Sequence, residues 1–152
     1  MANYVLMKMR SRKRADCSVL ALQFAAGLSY EDAEARLTFA GRKPNCGVYS
    51  SIFDKLGFEQ RPDLSCMTVG KALDSMQSGR FVVFIAGHFF AVVDGRIFDN
   101  HFTNVNCRVQ MVHEMPLDNP GVLGQYPYLE KIVALDKLPD MRAINFRRLW
   151  TS

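Results

Sequence analysis

The chain carries 4 cysteines and 3 histidines, few enough for each to be weighed as a reacting group. A thiol attacks only as its thiolate. A reactive cysteine is therefore expected at a helix start, where the aligned peptide dipoles favour negative charge, and within reach of a histidine that can hold its proton. Of Cys17, Cys46, Cys66 and Cys107, Cys17 alone reads this way, because it opens the apolar run from Ala15 to Ala26 directly behind Asp16. Cys46 falls in the turn Pro44-Asn45-Cys46-Gly47, and Cys107 lies on an expected strand. Cys66, in Leu64-Ser65-Cys66-Met67 just before a helix, is the one rival. No two of the four are spaced as a zinc pair, and no metal or cofactor is expected. His88 stands in Gly87-His88-Phe89-Phe90-Ala91-Val92-Val93-Asp94-Gly95-Arg96-Ile97-Phe98-Asp99-Asn100. Period two puts His88, Phe90 and Val92 on one face, and a hairpin at Asp94-Gly95 returns Ile97 to Asp99 alongside, where the Asp99 carboxylate can orient the imidazole. Taken singly, a cysteine is more often a small buried hydrophobe, and a strand histidine a satisfied core residue.

The elements that must position these groups follow from hydrophobic pattern and punctuation. Ala15 to Ala26 is apolar apart from Asp16, Ser18 and Gln23. It predicts a helix with Asp16 as N-cap, beginning at Cys17, closed by Gly27 and buried on all sides. Ser29 followed by Asp32 reads as a capping box, predicting a second helix over Tyr30 to Phe39, tightly joined to the first, with Ala33 and Leu37 inward and Gly41 as its stop. Short helices are expected over Val48 to Leu56, stopped by Gly57, and over Val69 to Met76, with Leu73 and Met76 buried and Gly79 as the stop. The chain then turns β-branched and aromatic, predicting strands at Phe81 to Ala86, His88 to Val93 and Arg96 to Phe98. Cys107 to Val112 alternates like another strand, Asn119-Pro120-Gly121 and Tyr126-Pro127 mark loops, and Glu130 to Lys137 fits either a helix or a strand. Helices first and strands after predict an α+β fold, with the helices on one side of an antiparallel sheet.

These residues resemble a known family. Ala15-Asp16-Cys17-Ser18-Val19-Leu20-Ala21-Leu22, then Gly27-Leu28-Ser29-Tyr30-Glu31-Asp32-Ala33 and Gly41-Arg42, then Gly87-His88-Phe89-Phe90-Ala91-Val92 and Asp94-Gly95 ahead of Asp99, look like a papain-like cysteine peptidase. The likeness is closest to bacteriocin-leader peptidases and the short stand-alone versions carried by tailed phages. In those proteins an Asp-Cys pair opens the first helix, a Gly-His pair opens a strand, and an aspartate ends the next strand. The likeness spans Ala15 to Asn100. It implies a papain-like fold and a hydrolase cutting a peptide or isopeptide bond, with Cys17 as nucleophile, His88 as general base and Asp99 as orienting acid. Asn100 is the fallback for the third role, and Asp94 is assigned to the turn. Peptidases of this kind place a glutamine a few residues before the cysteine to donate into the oxyanion hole. Here Ser11, Arg12 and Lys13 stand there, and no glutamine precedes Cys17. The Cys17 N–H is expected to give one donor, and Asn3, Ser11 or Arg12 another. Loss of one donor commonly costs about 10²–10³ in rate, so the pattern also fits a weak or inactive relative acting by binding, as a virion component or an inhibitor of a host protein. Ala86-Gly87 and Cys46-Gly47-Val48 are expected to line the cleft, suiting a slim substrate such as an extended chain ending in glycine, and Gly87 would leave room for substrate backbone.

At 152 residues and 49% hydrophobic, the chain fits one domain with a core that needs neither disulfides nor metal. Its expected parts are a basic segment over 1–14, a catalytic core over 15–100, and C-terminal strands and loops over 101–152. No run approaches the ~18 uncharged apolar residues of a membrane span. The opening MANYVLMKMRSRKR carries its charges after its apolar residues, the wrong order for a signal peptide. The expected location is a reducing cytoplasm, that of the host (or the phage particle) if the chain is viral, with free thiols. The net charge of +4 gathers at Lys8, Arg10, Arg12, Lys13 and Arg14 and again at Arg142, Arg147 and Arg148. Without aromatic interleaving or a recognition helix, these runs make nucleic acid an unlikely partner, and a peptide or protein substrate is expected instead.

Overall fold

The structure, a computed structural model, describes residues 5–116 and the backbone of 142–145. Seven strands form one sheet: β1 (Val5–Lys8), β2 (Glu59–Gln60), β3 (Arg80–Ile85), β4 (His88–Val93), β5 (Arg96–Asp99), β6 (Met111–Glu114) and β7 (Arg142–Asn145). Their spatial order is β2-β6-β3-β4-β5-β1-β7. The helices are α1 (Cys17–Ala26), α2 (Tyr30–Ala40), α3 (Ile52–Lys55) and α4 (Val69–Leu73), with a 3₁₀ turn at Pro62–Leu64. The class is α+β.

The centre of the sheet is a meander of β3, β4 and β5 joined by two two-residue turns. Ala86 and Gly87 have φ of 45° and 78°, and Asp94 and Gly95 have 48° and 81°. Positive φ at both central residues is the hairpin geometry that matches strand twist, and it fixes the pairs Ile85↔His88 and Val93↔Arg96. Gly87 is thus accounted for by its turn. The strands then alternate cleanly. Leu6, Phe81, Val83, Ile85, Phe90, Val92 and Ile97 face one core cluster, while Met7, Val82, Phe89, Ala91, Val93 and Phe98 face the other. On the second face lie α1, buried over all residues from Ser18 to Ala26, and α2 through Tyr30, Ala33 and Leu37. Gly27 closes α1 in the left-handed conformation at φ 69°, and Ser29 accepts the Asp32 N–H at 3.1 Å.

Several expectations are corrected. The sheet is mixed, because β1 runs parallel to β5 while every other pairing is antiparallel. A parallel pair needs a long crossover, here the whole chain from β1 to β5. The basic segment expected over 1–14 contains this strand. Leu6 and Met7 are buried on opposite faces, so the run lacks the polar alternation that marks a half-buried strand. Helices cover both faces, since α4 packs Val69, Ala72 and Leu73, with Met76 just beyond, onto the Phe90 and Val92 side. α3 and α4 are shorter than their apolar patterns suggest. The strand expected over Cys107 to Val112 begins at Met111, because Arg108 bridges Thr68 and Val109 exchanges backbone bonds with Cys66 and Met67. The loops at Asn119-Pro120-Gly121 and Tyr126-Pro127 and the element over Glu130 to Lys137 lie outside the described residues. Among those described, no helix is long and apolar enough to cross a membrane.

Phe98 joins the two halves of this arrangement. Fully buried on β5, its ring stacks on Phe24 of α1 with centroids 4.7 Å apart. Phe98→Ala is expected to cost about 3–5 kcal/mol, read as a lower urea midpoint at unchanged slope. A change within the roughly ±0.5 kcal/mol of surface substitutions would mean that this stack does not hold α1 to the sheet.

Candidate active site

The approach to Cys17 is gripped from behind. Ala15 sits at φ 54°, a left-handed conformation that costs a non-glycine residue about 1–3 kcal/mol unless its surroundings enforce it. Two buried groups do so. Asp16, 1% exposed, stands at the N-cap position as expected, but its side chain makes no cap bond to α1. Its Oδ2 turns back instead to accept the N–H groups of Arg12 (2.9 Å) and Lys13 (3.1 Å) and the hydroxyl of Tyr30 (2.8 Å). Burial, then the bond to Asp16, pushes the Tyr30 hydroxyl well above its usual range, so it stays protonated as the donor. Arg42, 2% exposed just past α2, donates Nη2 to the Ala15 carbonyl at 3.1 Å. The turn into α1 is therefore tied to α2 from both sides.

His88 opens β4 and Asp99 closes β5. Because Val92 pairs with Ile97, alternation places His88, Phe90, Ile97 and Asp99 on one face. His88 Nε2 lies 2.6 Å from Asp99 Oδ1. The carboxylate, 1% exposed, also accepts the His101 N–H at 3.0 Å and the Thr103 hydroxyl, so its burial is matched by donors. The Asp99 carbonyl accepts the Met9 N–H at 2.8 Å just past β1, fixing the backbone as well. The His101 ring stacks on His88 with centroids 4.4 Å apart.

With Nε2 on Asp99, Nδ1 of His88 is left for Cys17, whose sulfur is hydrogen-bonded to the His88 side chain and to the N–H groups of Phe89 and Ser18. β5 pairs with β4 only from Ala91 onward, which leaves the Phe89 N–H free of that ladder. Burial alone would raise the Cys17 thiol. The His88 bond, the Phe89 N–H, the imidazole charge and the Ser18 N–H outweigh it and bring the thiol below its ordinary value. Burial alone would lower His88, but its bonds to Asp99 and Cys17 and their charges raise it to about 9. Both shifts favour the same proton distribution, thiolate beside imidazolium.

The structure therefore brings Cys17, His88 and Asp99 together and leaves the alternatives elsewhere. Asn100 turns away, donating Nδ2 to Ser11 Oγ at 2.6 Å, while its carbonyl accepts the Lys8 ammonium at 2.7 Å. Asp94 accepts the Gly79 N–H at 3.0 Å beyond the other end of β4, about 20 Å from His88 at ~3.3 Å per residue. Cys66 is exposed at φ 71° beside Ser65, Cys46 is exposed, and Cys107 is partly buried. Among the expected oxyanion donors, Asn3 lies outside the described residues, and the Arg12 guanidinium lies over the Tyr30 ring near Glu31. Among the described residues no group of three or more His, Cys, Asp or Glu side chains is placed to hold a metal ion. Sequence reasoning missed Tyr30, Arg42, His101 and Thr103 as partners of the site. Arg42 stood in the quoted Gly41-Arg42, but a charged residue after a helix reads as solvated, and Thr103 lies in an irregular stretch with no period to place it. Neither a protein-family model nor a curated protein nor a solved structure matches the chain.

Iodoacetamide at about pH 6 is expected to modify Cys17 ahead of Cys46, Cys66 and Cys107, because the Cys17 thiol is lowered toward the thiolate by its imidazole and backbone partners. The sign of the pH dependence follows from the two shifts. Reactivity should rise through a value below the ordinary thiol range and hold until His88 loses its proton near pH 9. Asp99→Asn should slow Cys17 alkylation at least about tenfold, equivalent to about 1.4 kcal/mol, while Asp94→Asn should leave it unchanged. Equal rates in Asp99→Asn and the wild type, with folding checked by circular dichroism, would remove Asp99 from the relay.

Proposed function

We propose that the chain is a papain-like cysteine hydrolase that cleaves a peptide or isopeptide bond through Cys17, His88 and Asp99. The observation that carries this reading is the relay itself: a thiol at a helix start, an imidazole on its sulfur, and a buried carboxylate 2.6 Å behind that imidazole. In the reaction the Cys17 thiolate adds to the substrate carbonyl, and the His88 imidazolium delivers its proton to the departing amine. Water, losing a proton to His88, then attacks the thioester and frees the acid. Asp99 holds the imidazole in one orientation and favours its charged form throughout. The Cys17 N–H at the start of α1 is one donor for the developing oxyanion.

A second reading, a papain-like protein that binds without cutting, is favoured by one observation. Where peptidases of this kind carry a glutamine, this chain has Ser11, Arg12 and Lys13, and Ser11 Oγ accepts a bond from Asn100 rather than presenting an amide of its own. Peptide and ubiquitin-like electrophilic probes separate the two. The hydrolase reading expects labelling that Cys17→Ala abolishes while circular dichroism and Tm are unchanged. Labelling that maps to Cys66, or no labelling by any probe, would sink it.

A further inference from the structure

We propose that the cavity between the end of α2 and α3 is the specificity pocket of this site and takes the carboxylate side chain of an acidic residue from an extended peptide; this rests on the hydrolase reading. The cavity has a volume of about 230 Å³ and is lined by Lys43, Cys46, Gly47, Tyr49, Ser51 and Lys55, among others. That is below the roughly 300–1,000 Å³ of pockets for drug-sized ligands, and is scaled to one side chain rather than a cofactor.

Its position is fixed by contacts already described. None of Cys17, His88 and Asp99 lines it. Arg42, between the lining residues Gly41 and Lys43, is bonded to Ala15, two residues before Cys17. Phe53, next to the lining residue Ile52, packs its ring 5.3 Å from that of Phe89, the neighbour of His88. Ala40 and Val48 rest on the same core cluster as Cys17. These contacts tie the walls of the cavity to the turn before Cys17 and to the neighbour of His88, and in the proposed binding mode it lies a few residues along an extended substrate from the thiol.

The chemistry of the lining selects the occupant. Lys43 and Lys55 contribute two cations, and no Asp or Glu lines the cavity. Among the described residues neither lysine is in an ion pair, whereas Lys13 is held by Glu34 and Arg61 by Asp63 and Glu114. Asp54, next to Lys55, is engaged by Gln60 and His113. Ser51 adds a hydroxyl able to donate to a carboxylate. Gly47 has no positive φ that would demand glycine, and an added Cβ would meet nothing within 4 Å. Its bare backbone leaves room for a peptide chain to lie alongside. Tyr49, 89% exposed, offers an apolar face to the flanking residue.

Cys46 is a built-in reporter of occupancy, and it can be read in Cys17→Ala protein, so that the measurement is independent of catalysis. The rate of its modification by N-ethylmaleimide is followed by mass spectrometry with acetyl-Ala-Glu-Leu-Glu-Ala-amide or the same peptide with lysines for glutamates. The glutamate peptide should slow Cys46 at least about fivefold at saturation, the lysine peptide should not, and protection should fall in ~0.5 M salt. Combining Lys43→Glu with Lys55→Glu should reverse the preference. Equal protection by the two peptides, none by either, or protection that survives the double reversal would overturn the proposal. So would equal rates of wild-type Cys17 with electrophilic peptides bearing glutamate or lysine. A Cys17 inert to every electrophile would instead defeat the hydrolase reading, with the Cys46 result standing on its own.

Discussion

A helix buried on all sides has no freedom to rotate, and the architecture around Cys17 depends on that constraint. From Ser18 to Ala26 every residue of α1 is buried, so turning the helix would exchange packed atoms for voids or clashes on every side. Cys17, the one partly buried residue of α1, is therefore held in place by the nine that follow it. Small residues make the close approach possible. Ala21 and Ala25 of α1 and Ala91 of β4 are fully buried, letting the helix settle low enough on the strand for the Cys17 sulfur to meet the Phe89 N–H.

The protein contains a second histidine–aspartate pair, and the contrast explains what makes the first unusual. His113 Nε2 lies 2.9 Å from Asp54 Oδ1, yet burial, the larger influence, lowers His113 and keeps it toward the neutral form, with Asp54 opposing only in part. Asp54 is 43% exposed, so water screens its charge, and no thiol stands on the other side of the ring. His88 has a fully buried carboxylate on one nitrogen and a thiol able to ionise on the other. The same two residue types therefore give a neutral structural tether at the β2–β6 edge and an imidazolium at the meander. The difference comes from the shorter bond to Asp99 and from the second partner, Cys17, on the other nitrogen of His88.

The parts legible in the sequence were those set by local pattern. The α1 boundaries followed from an apolar run and Gly27, and the return of Asp99 beside His88 followed from period two and a two-residue turn at Asp94-Gly95. What stayed illegible was set by partners distant in sequence. β1 is short and buried on both faces, so its four residues carry no alternation, and the basic run behind it suggested a tail. Asp16 has the residue type of a cap, but Tyr30, 14 positions on, draws its carboxylate backward. Thr103 reaches Asp99 from a stretch without regular structure, where side-chain spacing predicts nothing. Arg42 is buried because Ala15 needs its donor, a requirement visible only once α1 and α2 are side by side.

The parallel pairing of β1 with β5 has a consequence for the order in which the chain is assembled. At ~5–20 residues per second, β1 leaves the ribosome roughly 5–20 s before the strand it must align with. Until Arg96–Asp99 arrives, Leu6 and Met7 have no sheet to bury them, and the helices emerge without the carboxylate that charges the imidazole. A contact of such high sequence separation forms late and slowly. During synthesis the Cys17 thiol therefore waits for the imidazole and carboxylate that lower it, and the arrangement is complete only when β5 has joined β1.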